Sequence, residues 1–440
     1  MTKNLKLTLL ALFIVQLLVA SSFELAHDEA YYWLFSRHLD WGYFDHPPFV
    51  AVVIKLFSFL PASELSVRLG FILLQFATVL ILLSMSGFSW VGVVLFFSFP
   101  LASVGGVLAL PDMPLLFMTA CYFWCLKSYL ERDRFTESFI LGVCIALLLY
   151  AKYHGVLLIF FTLLALPKLV YKKSFYLVTL TSLLCFLPHV WWQYLHDFST
   201  LRYHFFERPS AVFSLARSTE YLIVQIFMAG LFSGPLVWYL LLKTQPQDAF
   251  NRVLKYSSIG AVIFFLLSSF SKRIEANWTI FLAPPIILYV VSHDFWSKRW
   301  TRRVLFLSFV VVMGARLVFV LPANMVPIQR IKEFKGWGQW AKDIKDECGS
   351  EPLLANTYQI ASKLSFYLQT EVGALNYHSR KNQFDFWQWD RLMPTEKVCY
   401  ITDATEFSGK TFRTPEGKSI QIVKNAGLSR LRELKYCLGR

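Results

Sequence analysis

The sequence is short of charge and lacks the signatures of soluble nucleotide chemistry. Asp, Glu, Lys and Arg make up 16% of its 440 residues against 56% hydrophobic, which is too apolar for a soluble chain of this length. It carries no P-loop, no GxGxxG opening a helix, no HExxH and no GxSxG in useful context, so nothing supports nucleotide, zincin or serine-hydrolase chemistry. The three cysteines of the C-terminal tail, Cys348, Cys399 and Cys437, have no CxxC spacing. Two of them can pair in an oxidising compartment and one is left over; the sequence leaves the pairing open. No repeat, low-complexity segment or long linker interrupts the chain.

In place of charge there is a succession of long apolar runs. Eleven segments, at 5–22, 65–86, 90–110, 113–130, 136–151, 155–170, 174–192, 219–242, 253–270, 279–293 and 303–321, approach the ~20 residues that a helix needs to cross a bilayer. A polytopic α-helical membrane protein is expected. The first run has a basic start like a signal peptide but no small-residue cleavage site, so it is read as an anchor. With the N-terminus inside, Lys3, Lys6, Arg132, Arg134, Lys168, Lys172, Lys173, Lys243, Arg252, Lys255, Lys298, Arg299, Arg302 and Arg303 fall in inner loops or at inner ends, as the positive-inside rule requires. These residues account for much of the net charge of +14, and no nucleic-acid partner is expected. An odd number of crossings puts residues 322–440 outside. There the apolar runs stop and turn signals such as "TPEGKS" appear. "GWGQWAKDIKDEC" and "TYQIASKLSFYL" have helical periodicity, while "EPLLAN", "KVCYITDA" and "SIQIVKN" read as strands. The expectation is a membrane domain over 1–321 followed by a small α/β domain over 322–440.

This topology sorts the unusual polar residues onto the outer side. The first outer loop, "FELAHDEAYYWLFSRHLDWGYFDHPPFV" and beyond, holds Asp28, Glu29, Asp45 and His46. "DEAYYWLFSRH" reads as an interfacial helix with Asp28, Tyr31, Tyr32 and Phe35 along one face, and "DHPP" must end the helical stretch. An acid pair at such a helix start is equally well explained as capping. "LPDMPLL" sets Asp112 in a turn between spans, where capping is again the plainer alternative. "YAKYHGVLL" adds Lys152 and His154, and "SKRIEANW" adds Lys272, Arg273, Glu275 and Asn277. Tyr31, Arg37 and Asp45 complete the candidate substrate-binding set. Cations at one membrane face can anchor headgroups, but converging on a cavity with two carboxylates they suit a phosphorylated lipid substrate.

These segments, with "ANTYQIASKLSFYL" and "SRKNQFDFW" in the tail, resemble in order the bacterial glycosyltransferase family 39 proteins, which are related to protein O-mannosyltransferases and lipid A aminoarabinose transferases. The resemblance implies a GT-C fold with interfacial helices in the first outer loop and an outer soluble domain. It implies an inverting transfer of a hexose or pentose from a polyprenyl-phosphate carrier to lipid A, another glycolipid, a polysaccharide or a protein. Matched by motif, Asp28 resembles the catalytic acid residue with Glu29 beside it, and Asp112 resembles the second site acid. His46 stands where the aminoarabinose transferases have a lysine, which argues against carrying their sugar over. A divalent metal beside the carboxylates is compatible with the resemblance and not required by it. The tail residues Gln359, Arg380, Asn382 and Gln383 are candidates for closing the site. A transporter or flippase of lipid-linked sugars would also need cations in a membrane cavity, but it calls for a polar path across the bilayer and repeated halves. A sensor whose tail binds a ligand would leave the first-loop acids dispensable.

Overall fold

The computed structural model describes residues 1–203, 213–321, 329–377, 380–389 and 395–438. The expected domain boundary at Pro322 lies outside the described residues. Helices occupy almost every apolar run. They are α1 (Lys3–Ser21), α2 (His27–Arg37), α3 (Phe49–Lys55), α4 (Glu64–Met85), α5 (Trp90–Ser98), α6 (Pro100–Val104), α7 (Asp112–Arg132), α8 (Phe135–Ala151), α9 (Val156–Ala165), α10 (Lys173–Leu195), α11 (Ser199–Arg202), α12 (Leu215–Met228), α13 (Gly234–Lys243), α14 (Ala249–Ser269), α15 (Ala283–Val291), α16 (Arg299–Ala315) and α17 (Leu317–Val320). Five of these segments are long and apolar enough to cross a membrane alone: α1, α4, α10, α14 and the stretch of α16 with α17. A sixth forms if the bent pair at 90–107 counts as one span. The other runs make shorter or less apolar helices, so the count of eleven crossings rests on hydropathy and not on helix length. Large apolar side chains such as Leu18, Leu183, Leu187 and Leu267 stand exposed on helix surfaces, as lipid-facing positions do.

The run at 90–110 is bent by 93° between α5 and the segment 100–107. Pro100 starts the second piece, and a proline cannot continue the hydrogen-bond ladder of the helix before it. The polar groups near the bend are satisfied by buried side chains. Gln75 Nε2 donates to the carbonyls of Ala102 and Ser103 at 2.6 and 3.0 Å, and Arg316 reaches Ser103 and, at 2.5 Å, Gln16 Oε1. In an apolar medium such partners remove a cost of several kcal/mol per group (~2–7).

The tail forms a five-stranded sheet from β1 (Leu353–Ala355), β2 (Gly373–Ala374), β3 (Lys397–Thr402), β4 (Lys410–Arg413) and β5 (Ser419–Gly427), in the order β2-β1-β3-β5-β4. β1 runs parallel to β2 and β3, and β5 runs antiparallel to β3 and β4. Helices α18 (Trp337–Cys348), α19 (Tyr358–Leu368), α20 (Gln383–Trp387) and α21 (Leu428–Leu438) accompany it. The three strands and two helices read from sequence are β1, β3, β5, α18 and α19; the shorter β2 and β4 gave no signal. Alternation along β1 and β3 sends Leu353, Ala355, Cys399 and Ile401 into the core shared with the helical bundle. Leu354, Val398 and Tyr400 pack into a second core with Leu428 and Leu431 of α21, as the two-residue side-chain period dictates. Cys348 and Cys399 form a disulfide; the side chain of Cys437 lies outside the described residues.

Candidate active site

The interfacial helix read from "DEAYYWLFSRH" is α2, and its two acids have different surroundings. Glu29 accepts the amide of Ala26 at 2.8 Å, so it caps the helix. It also forms an ion pair with Arg68, which donates at 2.7 and 2.6 Å, and it accepts the Ala109 amide at 2.8 Å. Glu29 and Arg68 are both fully buried. The catalytic role expected for Glu29 is therefore corrected: its oxygens are used in holding α2 to α4 and to the turn before α7. The capping explanation applies to Glu29 and not to its neighbour.

Asp28 opens onto a cavity of about 390 Å3 lined also by Tyr32, Asp45, His46, Asp112, Lys152, His154, Lys272 and Asn277. Eight of the thirteen candidate residues line it. The double proline explains part of this convergence. Pro47 and Pro48 end the extended chain and Pro48 caps α3, which turns Asp45 and His46 back toward α2. The His46 ring meets Tyr32 edge-on at 5.6 Å. Asp45 accepts Tyr31 Oη at 2.8 Å and Arg380 Nη1 at 2.7 Å. Across the cavity, Asp112 leaves the start of α7 uncapped by its side chain. Its carboxylate accepts Lys152 Nζ at 2.8 Å and Asn277 Nδ2 at 3.1 Å, so Lys152 serves Asp112 as well as the cavity. His154 packs between Phe265 and Trp278, and the wall continues through Leu157, Phe264 and Ile274. One end of the cavity is thus acidic and polar, and one side is apolar.

The remaining candidates sit elsewhere. Arg273 and Glu275 pair with each other at 3.3 Å on the exposed surface, and Arg37 is exposed at the end of α2, with its guanidinium 5.9 Å from the Trp33 ring. The expected contacts of these three with substrate are not supported by their placement. Tyr31 stands one contact behind the cavity, on Asp45. Among the described residues, no group of three or more His, Cys, Asp or Glu side chains is placed to hold a metal ion.

The tail reaches the site. Tyr358 Oη lies 3.4 Å from Asp28 Oδ1. Gln383 accepts the Phe44 amide through its side chain at 2.8 Å and donates its own amide to Tyr31 Oη at 2.7 Å. Arg380 and Gln383 thus act on the turn that carries Asp45, whereas Asn382 caps α20. Burial pushes the carboxyl of Asp28 up to about 6, helped by the negative charges of Glu333 and Asp45 and opposed by His27 and Arg380. Tyr358 and Glu333 were not singled out from the sequence. The motif "TYQIASKL" contains the first, and nothing local marks the second.

Known proteins agree with this architecture. Residues 45–192 match the family model described as dolichyl-phosphate-mannose-protein mannosyltransferase. The lipid A galacturonosyltransferase RgtD of Rhizobium johnstonii is 24% identical, across 90% of this chain and 88% of its own. By these matches the chain is similar to the PMT_2-like GT-C glycosyltransferases. Two crystal structures of ArnT from Cupriavidus metallidurans, one bound to undecaprenyl phosphate and one in the apo state, superpose with TM-scores of 0.69 and 0.68 at 14% identity. They cover 97% of this chain and 99% and 98% of theirs, so the GT-C fold extends over helices and tail together. A multi-pass helical membrane protein follows.

Proposed function

We propose that the chain is an inverting glycosyltransferase that takes a hexose or pentose from a polyprenyl-phosphate carrier and places it on an envelope acceptor at the outer face of the inner membrane. In this reading the N-terminus is cytoplasmic and the sheet domain periplasmic. The observation that carries it is the cavity itself: Asp28, a carboxylate of raised proton affinity, shares one chamber with Lys272, His46 and the Asp112–Lys152 pair, next to an apolar wall. The wall suits a lipid tail, and the cations suit its phosphate.

The reaction then follows from charge. An acceptor oxygen attacks the anomeric carbon while the bond from that carbon to the phosphate oxygen breaks, and the carrier phosphate leaves with the electron pair. Lys272, His46 and Lys152 face the charge that grows on the phosphate, where contacts that tighten in the transition state count most. Asp28 takes the proton of an acceptor hydroxyl; an elevated carboxyl is a better base near neutral pH than an ordinary one. Asp112, held by Lys152 and Asn277, positions the sugar. A glycolipid acceptor such as lipid A is favoured by the similarity to the lipid A galacturonosyltransferase RgtD; a polysaccharide or protein acceptor would enter the same chamber from outside. The polar groups gather at one end of the bundle, which suits transfer better than transport.

Asp28→Asn removes the base while keeping size and polarity. In purified protein supplied with a polyprenyl-phosphate sugar, a loss of about 10²–10⁴-fold is expected, with normal accumulation in the membrane. Near-normal turnover would overturn the assignment. Mass spectrometry of envelope lipids and glycoproteins with and without the chain identifies sugar and acceptor from the mass difference.

A further inference from the structure

The chain entering α2 and the chain entering the sheet domain are locked together. The Glu24 amide donates to the Phe334 carbonyl at 3.0 Å, and the Glu24 carboxylate accepts the amides of Trp337 and Gly338 at 2.5 and 2.9 Å. Lys363, buried over the Trp337 ring, donates to the carbonyls of Leu25 and Glu333. The amide of His27, the first residue of α2, donates to Glu333 Oε1 at 2.9 Å. A carboxylate at a helix start satisfies an amide that has no partner within the helix. Here it also stands one residue from Asp28.

We propose that Glu333 is a positioning residue of the transfer reaction, fixing the first turn of α2 through the His27 amide and presenting a second carboxylate to Asp28. The proposal rests on the reading of Asp28 as the base. Asp28 is faced by His27 and Tyr32 from its own helix, by Asp45 and His46 from the proline turn, by Tyr358 and Arg380 from the tail, and by Lys152 with Asp112 across the cavity. Asp45 carries its own cation, Arg380, at 2.7 Å. Glu333 gives one oxygen to an amide and has the Lys363 side chain beside it, and among the charges that act on Asp28 it is the one that raises that carboxyl most. The tail thereby helps to set the pH range in which the membrane domain works.

The test is the pH profile of kcat/KM for the full chain in lipid nanodiscs. Glu333→Gln keeps an acceptor for the His27 amide and removes the charge. Its acid limb, expected near pH 6 in the unaltered protein from the Asp28 carboxyl, should move down by about 0.3 unit or more, an approximately twofold gain at pH 5 relative to the plateau. Glu333→Asp, which keeps the charge, should hold the limb near its original position even if the plateau falls. A uniform loss in Glu333→Gln with the limb unmoved, or no change at all, overturns the proposal. If that variant does not accumulate, Glu333→Ser must show the same downward shift, and an unmoved limb there has the same force. Asp28→Asn in the same assay separates the two ideas: an inactive Asp28→Asn with an unmoved Glu333→Gln limb rejects Glu333 alone, while an active Asp28→Asn rejects the base itself.

Discussion

Arg68 is fully buried with its guanidinium shared between the Glu29 carboxylate and the carbonyls of Ala20, Phe23 and Glu24. Arg68→Met leaves Glu29 charged and unpaired in a dry site, and breaking a buried pair in this way costs about 3–5 kcal/mol. Thermal unfolding in detergent should fall clearly for Arg68→Met and for Glu29→Ala, with activity lost only as the fold is lost. Asp28 behaves in the opposite way, because it opens to the cavity. Its carboxyl is ionised above about 6, so the proposed base is present at pH 7 and is withdrawn as pH falls. The kcat/KM should therefore drop about tenfold per unit below that point, and a flat profile from pH 5 to 7 would exclude an Asp28 base. The two adjacent acids could not be told apart from the sequence, since both fit a capping turn. What distinguishes them is a partner far along the chain, Arg68 for one and the cavity for the other.

At the scale of elements, the turn between α2 and α3 decides where Asp45 and His46 point. Its near end is pressed against α10: a Cβ on Gly42 would come within 2.5 Å of the Trp192 ring, which is anchored by Asp40 through its indole nitrogen at 2.8 Å. A rigid ring anchored through its indole nitrogen and stacked on His196 has little room to yield. Gly42→Ala should displace the turn and lower transfer by about 10–100-fold, while the unfolding temperature of the membrane domain changes little. Equal loss of both would mean that the turn is structural and not positional. That no helix runs through "DHPP" was legible from its two prolines, but they precede α3 and do not end α2, which already stops at Arg37. The close approach of Gly42 was not legible, because a glycine in a loop carries no local mark of what lies beside it.

At the scale of the molecule, the tail is part of the candidate site and not an appendage. It supplies Tyr358 against Asp28 and Arg380 against Asp45, and its core merges with that of the helices. Cys348 and Cys399 tie α18 to β3 across 51 residues, a loop length for which chain entropy gives about 4 kcal/mol of stabilisation. Cys348→Ser with Cys399→Ser should lower the unfolding temperature of the tail and reduce transfer with it. Retained activity after complete unfolding of the tail would show that the helices suffice.

Composition and period were enough to determine a helical membrane protein with an α/β tail, because burial of apolar runs and the three-to-four and two-residue periods are local properties of the chain. They also placed Asp28, Asp45, His46, Asp112, Lys152, His154, Lys272 and Asn277 among thirteen candidates, since charged and polar groups at a membrane face are costly unless they are used. The fates of Glu29, Arg273 and Glu275, the Cys348–Cys399 pairing and the contacts of Glu333 and Tyr358 were decided only by the tertiary structure. Except for the local Arg273–Glu275 pair, each depends on residues far apart in the sequence, and the free energy of such a pair exists only once folding has set the distance between them.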